Sequence, residues 1–204
     1  MKMKSIQSGW QKYIIPFCFV FLLGACGKAP ERDFATYELL VDQNVMPDHW
    51  DVVEYAEEML VNEGQEDGSY ITFQKTDVDY FARTGEDVYR YGSVSKAKWH
   101  YKRFVNYYLN KNAYDLTEWE TPVWFHFEPN NTDNWRFACA LHQNGIRLDS
   151  SENRIVCRYI ARYEEFLVTA LITKAIDGQV MIEDKDAEEF IIKIDQKIGE
   201  YLGN

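Results

Sequence analysis

Apolar residues recur along this chain with two periods, and the switches between them lay out the elements. A period of two runs through Tyr70 to Lys75, with Ile71 and Phe73 on one face, and again through Val78 to Arg83. Thr84-Gly85-Glu86 then reads as a turn before a further short strand, Asp87 to Tyr91. The helical period takes over next. Ala97, Tyr101, Phe104, Val105 and Tyr108 form one stripe, which predicts a helix over about 96–110, starting at Ser93 or Ser95 and ending at Asn110 to Asn112. A second such stripe (Phe190, Ile191, Ile194, Ile198 and Tyr201 or Leu202) predicts a closing helix over 186–202, with Asp186 and Glu189 as a capping box. Val52, Val53, Ala56, Met59 and Leu60 also recur at helical spacing, so a helix is expected over Asp51 to Asn62, capped by Asp48 or Asp51 and stopped by Gly64. Phe34 to Val45 is mixed and fits a short helix or a strand; Pro47-Asp48-His49-Trp50 breaks it.

The C-terminal half predicts a β-meander. Trp135, Phe137, Cys139 and Leu141 share one strand face, opposite Arg136, Ala138, Ala140 and His142. Ile155, Cys157, Tyr159, Ala161 and Tyr163 share a face of the next strand. One hairpin centred near Leu148 would set Cys139 opposite Cys157. A tight turn at Asn144-Gly145, with a short strand Ile146 to Asp149, would instead set Cys139 opposite Ser150. Phe166 to Thr173 is almost continuously apolar, as in a central strand covered on both faces. Asp177-Gly178 turns the chain before Val180 to Ile182. Thr117 to Phe127 packs Trp119, Trp124, Phe125 and Phe127 around Pro122, and reads as an aromatic strand covered on both faces or as a stacking platform. The expected fold is α+β: an antiparallel sheet with the helices of about 96–110 and 186–202 packed on it.

Ahead of this domain the pattern changes kind. Lys2, Lys4 and Lys12 precede an apolar run from Tyr13, which ends at Leu23-Gly24-Ala25-Cys26. Thirteen residues separate Tyr13 from Ala25 inclusive, Pro16 and Gly24 among them. About 20 apolar residues are needed to span a bilayer. A basic leader, a short apolar run and a small-residue site form an export signal, and the last four residues resemble the lipobox of bacterial lipoproteins. That resemblance implies removal of residues 1–25, a diacylglycerol thioether on Cys26 and acylation of the new amino terminus. It also implies residence on the extracytoplasmic face of a membrane in the cell envelope. Gly27 after the cysteine would permit transfer to an outer membrane, if the cell has one. Residues 26–33 would then be a lipidated tether, with Gly27 to Asp33 reaching at most ~25 Å, and residues 34–204 a single domain.

Charge and cysteines narrow the partners. Residues 26–204 hold 33 acidic and 19 basic residues, a formal net charge of −14. Such a surface disfavours nucleic acid and anionic headgroups. Without Cys18 and Cys26, Cys139 and Cys157 remain as a disulfide or as two buried thiols. Glu63 to Gly68 lacks the alternating ligands and closing Glu of a calcium loop, and reads as a solvated turn. No metal or cofactor is implied. Arg154, Arg158 and Arg162 share one strand face at successive spacings of roughly 13 Å, either as an anion-binding stripe or as partners of nearby acids. With Trp119 and Trp124 they are the candidate ligand-binding residues.

Pro47-x-x-Trp50, followed by strands, a Ser/Ala-rich helix (Ser93, Ser95, Ala97), more strands and a closing helix, resembles the Mog1/PsbP-like group of small α/β domains over residues 36–202. The group's P-x-G-W segment has Gly where His49 stands here, and continues as strand where Val52 to Leu60 reads helical. The resemblance implies antiparallel strands sandwiched by helices and carries over no functional residue. The functional expectation is a lipid-anchored, non-enzymatic protein that binds a protein or small-molecule partner. Two others remain: an envelope hydrolase of sugar or peptide, using Asp77 or Glu128 near Trp119 and Trp124, and a structural or assembly factor with an exposed apolar patch.

Overall fold

In the computed structural model, residues 27–59, 64–76, 83–110, 117–142, 154–175 and 182–203 are described. Two three-stranded meanders, β1 (Trp50–Ala56), β2 (Gln65–Lys75), β3 (Arg83–Tyr91) and β4 (Asn134–His142), β5 (Arg154–Tyr163), β6 (Phe166–Ala175), meet where β3 pairs with β6. The result is one antiparallel six-stranded sheet in the order β1-β2-β3-β6-β5-β4. Helix α1 (Val94–Tyr108) connects the meanders across one face, and α2 (Asp184–Leu202) closes the other. The α+β expectation holds.

Each helix sits where its stripe directs it. Ser93 Oγ accepts from Lys96 N at 3.2 Å and starts α1. Ala97, Tyr101, Phe104, Val105 and Tyr108 then pack on Tyr89, Tyr91, Ile160 and Leu167. On the opposite face, Phe190, Ile191, Ile194 and Ile198 pack on Phe73, Val88, Cys157, Tyr159, Tyr163, Val168 and Ile172. β6 is central, as its apolar run required. Helix α2 begins two residues earlier than expected, at Asp184, with Glu183 as N-cap and no side-chain cap bond, so the Asp186/Glu189 capping box does not form.

Three expectations need correction in the first half of the chain. Residues 50–56 are the edge strand β1, not a helix, and residues 60–63 lie outside the described set. Val53 is skipped in the pairing with β2, which runs Val52↔Phe73 then Glu54↔Thr72. That bulge breaks the period-two pattern and lets two adjacent valines imitate a helical stripe. Of the expected Glu63–Gly68 turn, residues 65–68 belong to β2. Thr84-Gly85-Glu86 is mid-strand in β3. Gly85 is needed there for close approach rather than for turning, since a Cβ would lie 2.9 Å from the Ile71 carbonyl oxygen. Phe34 to Val45 resolves into two single 3-10 turns, Thr36–Leu39 and Gln43–Val45, whose Leu39, Leu40 and Val41 cover the sheet beside α2. His49 adopts φ 69°, the left-handed region glycine favours.

The 117–127 run is not a full strand. Glu120 and Cys139 exchange backbone bonds at 3.0 and 2.8 Å, Thr117 N donates to Leu141 O at 3.0 Å, and Pro122 follows, which has no N–H to offer. The segment thus covers the outer edge of β4 with one bridge instead of a seventh strand. The expected segments 78–82, 143–153 and 177–181, and the candidate acid Asp77, lie outside the described residues.

Cys139 pairs directly opposite Cys157 and is disulfide-bonded to it across 18 residues of sequence, which selects the single-hairpin register. Reduction, or Cys139→Ala with Cys157→Ala, is expected to destabilise the domain by about 3 kcal/mol through release of that loop. Urea unfolding with and without reductant measures it; an unchanged midpoint would refute a stabilising role.

Candidate functional site

The five residues singled out by sequence do not form one site. Arg162 is 6% exposed and fully engaged. Its guanidinium donates to Glu164 O at 2.9 Å and to Asn134 Oδ1 at 3.2–3.3 Å, and pairs with Asp133 at 2.9 Å. Arg158 lies 4.3 Å over the Tyr108 ring. Arg154 continues the ladder opposite His142 and Ala175, and its side chain lies outside the described set. Of the two readings of the arginine stripe, packing and pairing within the fold account for Arg158 and Arg162. Trp124 is half-buried on the α2 side, 5.7 Å from Phe137, and Lys174 Nζ caps its ring at 4.8 Å while pairing with Asp184. Trp119 sits across the edge strand, on the α1 side. A shared aromatic platform therefore does not form.

Trp119 instead lines an open groove of about 570 Å³ between the C-terminal half of α1 and the edge of β4. The helix stripe places Val105 and Leu109 on its floor and Asn106 and Asn110 at its rim. Arg136 enters from β4 because alternation aims it away from the α2 core that holds Phe137. The edge-covering segment supplies Trp119, whose Nε1 is buried and has no hydrogen-bond partner among the described residues. A guanidinium and side-chain amides beside an indole wall together suit a polar, anionic ligand of modest size. Glu128 is exposed on the loop at α2, on the far side of the sheet from this groove. Among the described residues no cluster of His, Cys, Asp or Glu has the geometry to hold a metal. On the opposite edge, Val52, Val53 and Tyr55 of β1 are exposed.

Acids that sequence reasoning missed organise the α2 side, the first of them a pair, half-buried Glu188 and buried Asp195. Glu188 Oε1 accepts from His126 N and from Phe127 N at 2.7 Å. Asp195 Oδ2 accepts from Asn130 N at 3.2 Å and from Asn131 Nδ2 at 3.1 Å. Seven residues apart on one flank of α2, the pair fastens the 126–131 loop. The available signal was position: Asp195 falls inside the stripe of Ile191, Ile194 and Ile198. Glu86 is the second. It projects from β3 under the 3-10 turns, where Oε2 accepts from Val41 N at 3.0 Å and Oε1 has no partner. Desolvation raises its pKa to about 8, against the Val41 hydrogen bond and Lys197, with Asp87 adding to the rise. Tyr159, nearby, is likewise pushed well up by burial, against its bond to Tyr163.

The N-terminal segment is bound down as well. Ala29 N donates to Gly92 O at 2.9 Å, and Arg90 donates to Pro30 O at 2.7 Å. Arg32 pairs with Glu164 and, at 2.8 Å, with fully buried Glu165, with Phe34 and Phe166 flanking its guanidinium. The tether expected over 27–33 is thus docked from Ala29 onward. Cys26 and the leader lie outside the described residues. No described helix is long and apolar enough to cross a membrane.

No family model matches the chain, that of the Mog1/PsbP-like group included, and no curated protein matches. Among solved structures it is similar to the extracellular domain of PknH from Mycobacterium tuberculosis, with a TM-score of 0.57 and 9% identity over 85% of this chain and all of that one. At that identity the likeness concerns the fold alone.

Glu86 makes stability depend on pH. Between an ordinary Glu value near 4.5 and about 8, the folded state holds a proton that the unfolded chain has released. This contribution is complete below the unfolded value and is lost as pH rises through the folded one. Glu86→Gln is expected to flatten that decline and to exceed the parent at pH 9 by a few kcal/mol. Urea unfolding from pH 5 to 9 tests it, and equal slopes in the two proteins would refute it.

Proposed function

We propose that this chain is a lipid-anchored extracytoplasmic binding domain, with the Trp119–Arg136 groove as its ligand site. The carrying observation is the interval between the lipobox-like Leu23–Cys26 and Ala29: three residues past the cysteine, the chain is already hydrogen-bonded into the end of the sheet. No room is left for a stalk, and the leader has the parts of an export signal rather than of a first structural element. The Cys139–Cys157 disulfide suits an oxidising compartment. The solved neighbour is titled an extracellular domain, which agrees with this placement.

The ligand class follows from the groove. Arg136 offers a carboxylate a two-pronged donor, the Trp119 indole offers an apolar wall, and Val105 and Leu109 offer an apolar floor. A sugar or short peptide bearing a carboxylate satisfies all three.

Two measurements test these statements. In the native host, Cys26→Ser is expected to abolish lipid attachment and block processing at residue 25, leaving the full-length precursor; a variant still cleaved there and still membrane-bound would overturn the anchor. Tryptophan emission titrated with N-acetylmuramic acid and with a free dipeptide is expected to respond to at least one. Arg136→Ala should then weaken that response tenfold or more, about 1.4 kcal/mol. Silence with both probes, or an unchanged Arg136→Ala titration, would remove the groove from the proposal.

A further inference from the structure

Helix α1 stands apart from the rest of this acidic chain. Its fifteen residues contain Lys96, Lys98, Lys102 and Arg103 and no acid, and none appears before Asn110. The remainder of residues 26–204 carries a net charge of −18. All four cations are exposed. At the middle of their face stands Trp99, 56% exposed, with Arg103 stacked 5.3 Å over its ring. Val94 and Tyr107 are exposed toward the two ends of the helix. The inner face of α1 is committed to the core through Ala97, Phe104 and Tyr108. Nothing in folding or in the groove calls for a large indole held in water among four positive charges.

Position supplies the second observation. Ala29 is hydrogen-bonded to Gly92, directly before the Ser93 cap of α1. From Cys26 to Ala29 is at most ~10 Å of extended chain. Lys96 to Arg103 occupies about the next 10 Å of helix axis. A lipid on Cys26 would therefore lie beside the basic end of this helix and not beside an arbitrary part of the domain.

We infer that the outer face of α1 docks on an anionic bilayer surface, with Trp99 at the headgroup level and Lys96, Lys98, Lys102 and Arg103 on lipid phosphates. The inference rests on the anchor at Cys26 and adds an orientation to it. Tryptophan at the interface and clustered cations against anionic lipid are the two recognised attractions of a surface-lying helix. Either alone would be weak in so acidic a protein. A covalent anchor within ~10 Å holds the helix at the surface continuously, and the repelled acidic remainder then points the other faces outward.

The test uses the processed, lipidated protein reconstituted into vesicles of phosphatidylcholine, or of phosphatidylcholine mixed with phosphatidylglycerol, each containing acyl-brominated lipid. Tryptophan quenching is expected in the anionic vesicles and is lost for the most part in neutral ones. Trp99→Phe should abolish most of it, and Lys98→Glu with Lys102→Glu should lower it several-fold with the protein still anchored; both changes are at exposed positions. Anchored protein with no quenching, or with quenching indifferent to lipid charge or to Trp99→Phe, overturns the docking and leaves the anchor standing. Protein that does not partition into either vesicle overturns the anchor, and the docking with it.

Discussion

Covering the β3–β6–β5 centre on both faces is the constraint on which the other elements depend. Val88, Val168, Tyr159 and Ile172 on one side, and Tyr91, Ile160 and Leu167 on the other, are all fully buried. A sheet drawn from two meanders joined at β3 and β6 has its richest apolar surface at that seam, and neither face can stay wet. One crossing helix cannot cover both faces, so the connection between meanders supplies α1 and the C-terminus supplies α2. The α2 layer is still too narrow, and the 3-10 turns of residues 36–45 complete it with Leu39, Leu40 and Val41.

The same constraint explains the buried polar groups. β3 carries Glu86 and Asp87 on consecutive residues, so one must face each layer. Asp87 accepts from Thr169 at 2.9 Å and has its pKa raised by desolvation, partly offset by Thr169 and Arg158. Glu86 faces the 3-10 turns and tethers Val41. A carboxyl in a two-sided core costs stability unless it is protonated or well bonded, and these two use different proportions of each remedy. Glu86 thus fixes the coil that closes the layer, which an apolar residue would cover but not orient.

Elements whose signal is periodic were legible in the sequence: α1, α2 and β4 to β6 follow from spacing alone, because their apolar periods run on even where an acid such as Asp195 enters the stripe. Elements shaped by a local departure were not. The Val53 bulge turned an edge strand into an apparent helix, and Gly85 read as a turn because the close approach of β2 depends on a partner distant in sequence. Trp119 and Trp124 looked like one cluster since only four residues separate them; the bridge at Glu120 and the stop at Pro122 send them to opposite sides of β4. Spacing shows which residues share a face of an element, but not that a chain crosses an edge. Arg136 escaped notice as an ordinary outward-facing strand residue, and its groove exists only because α1, from a different part of the chain, lies alongside.

On the proposed anchoring, docking of the chain from Ala29 onward changes what a lipid on Cys26 would do. A flexible tether of seven residues would let the domain tumble within reach of the bilayer, whereas Arg32 against buried Glu165 fixes where the chain leaves the fold. Removing Arg32 would leave Glu165 buried without its cation, so the exit point is tied to the hairpin that holds it. On the proposed anchoring, α1 then serves two surfaces at once. Its first turns stand nearest the lipid, while Val105, Asn106 and Leu109, about 18 Å further along the axis, line the groove. A ligand in that groove would be held at a set height and angle above the membrane.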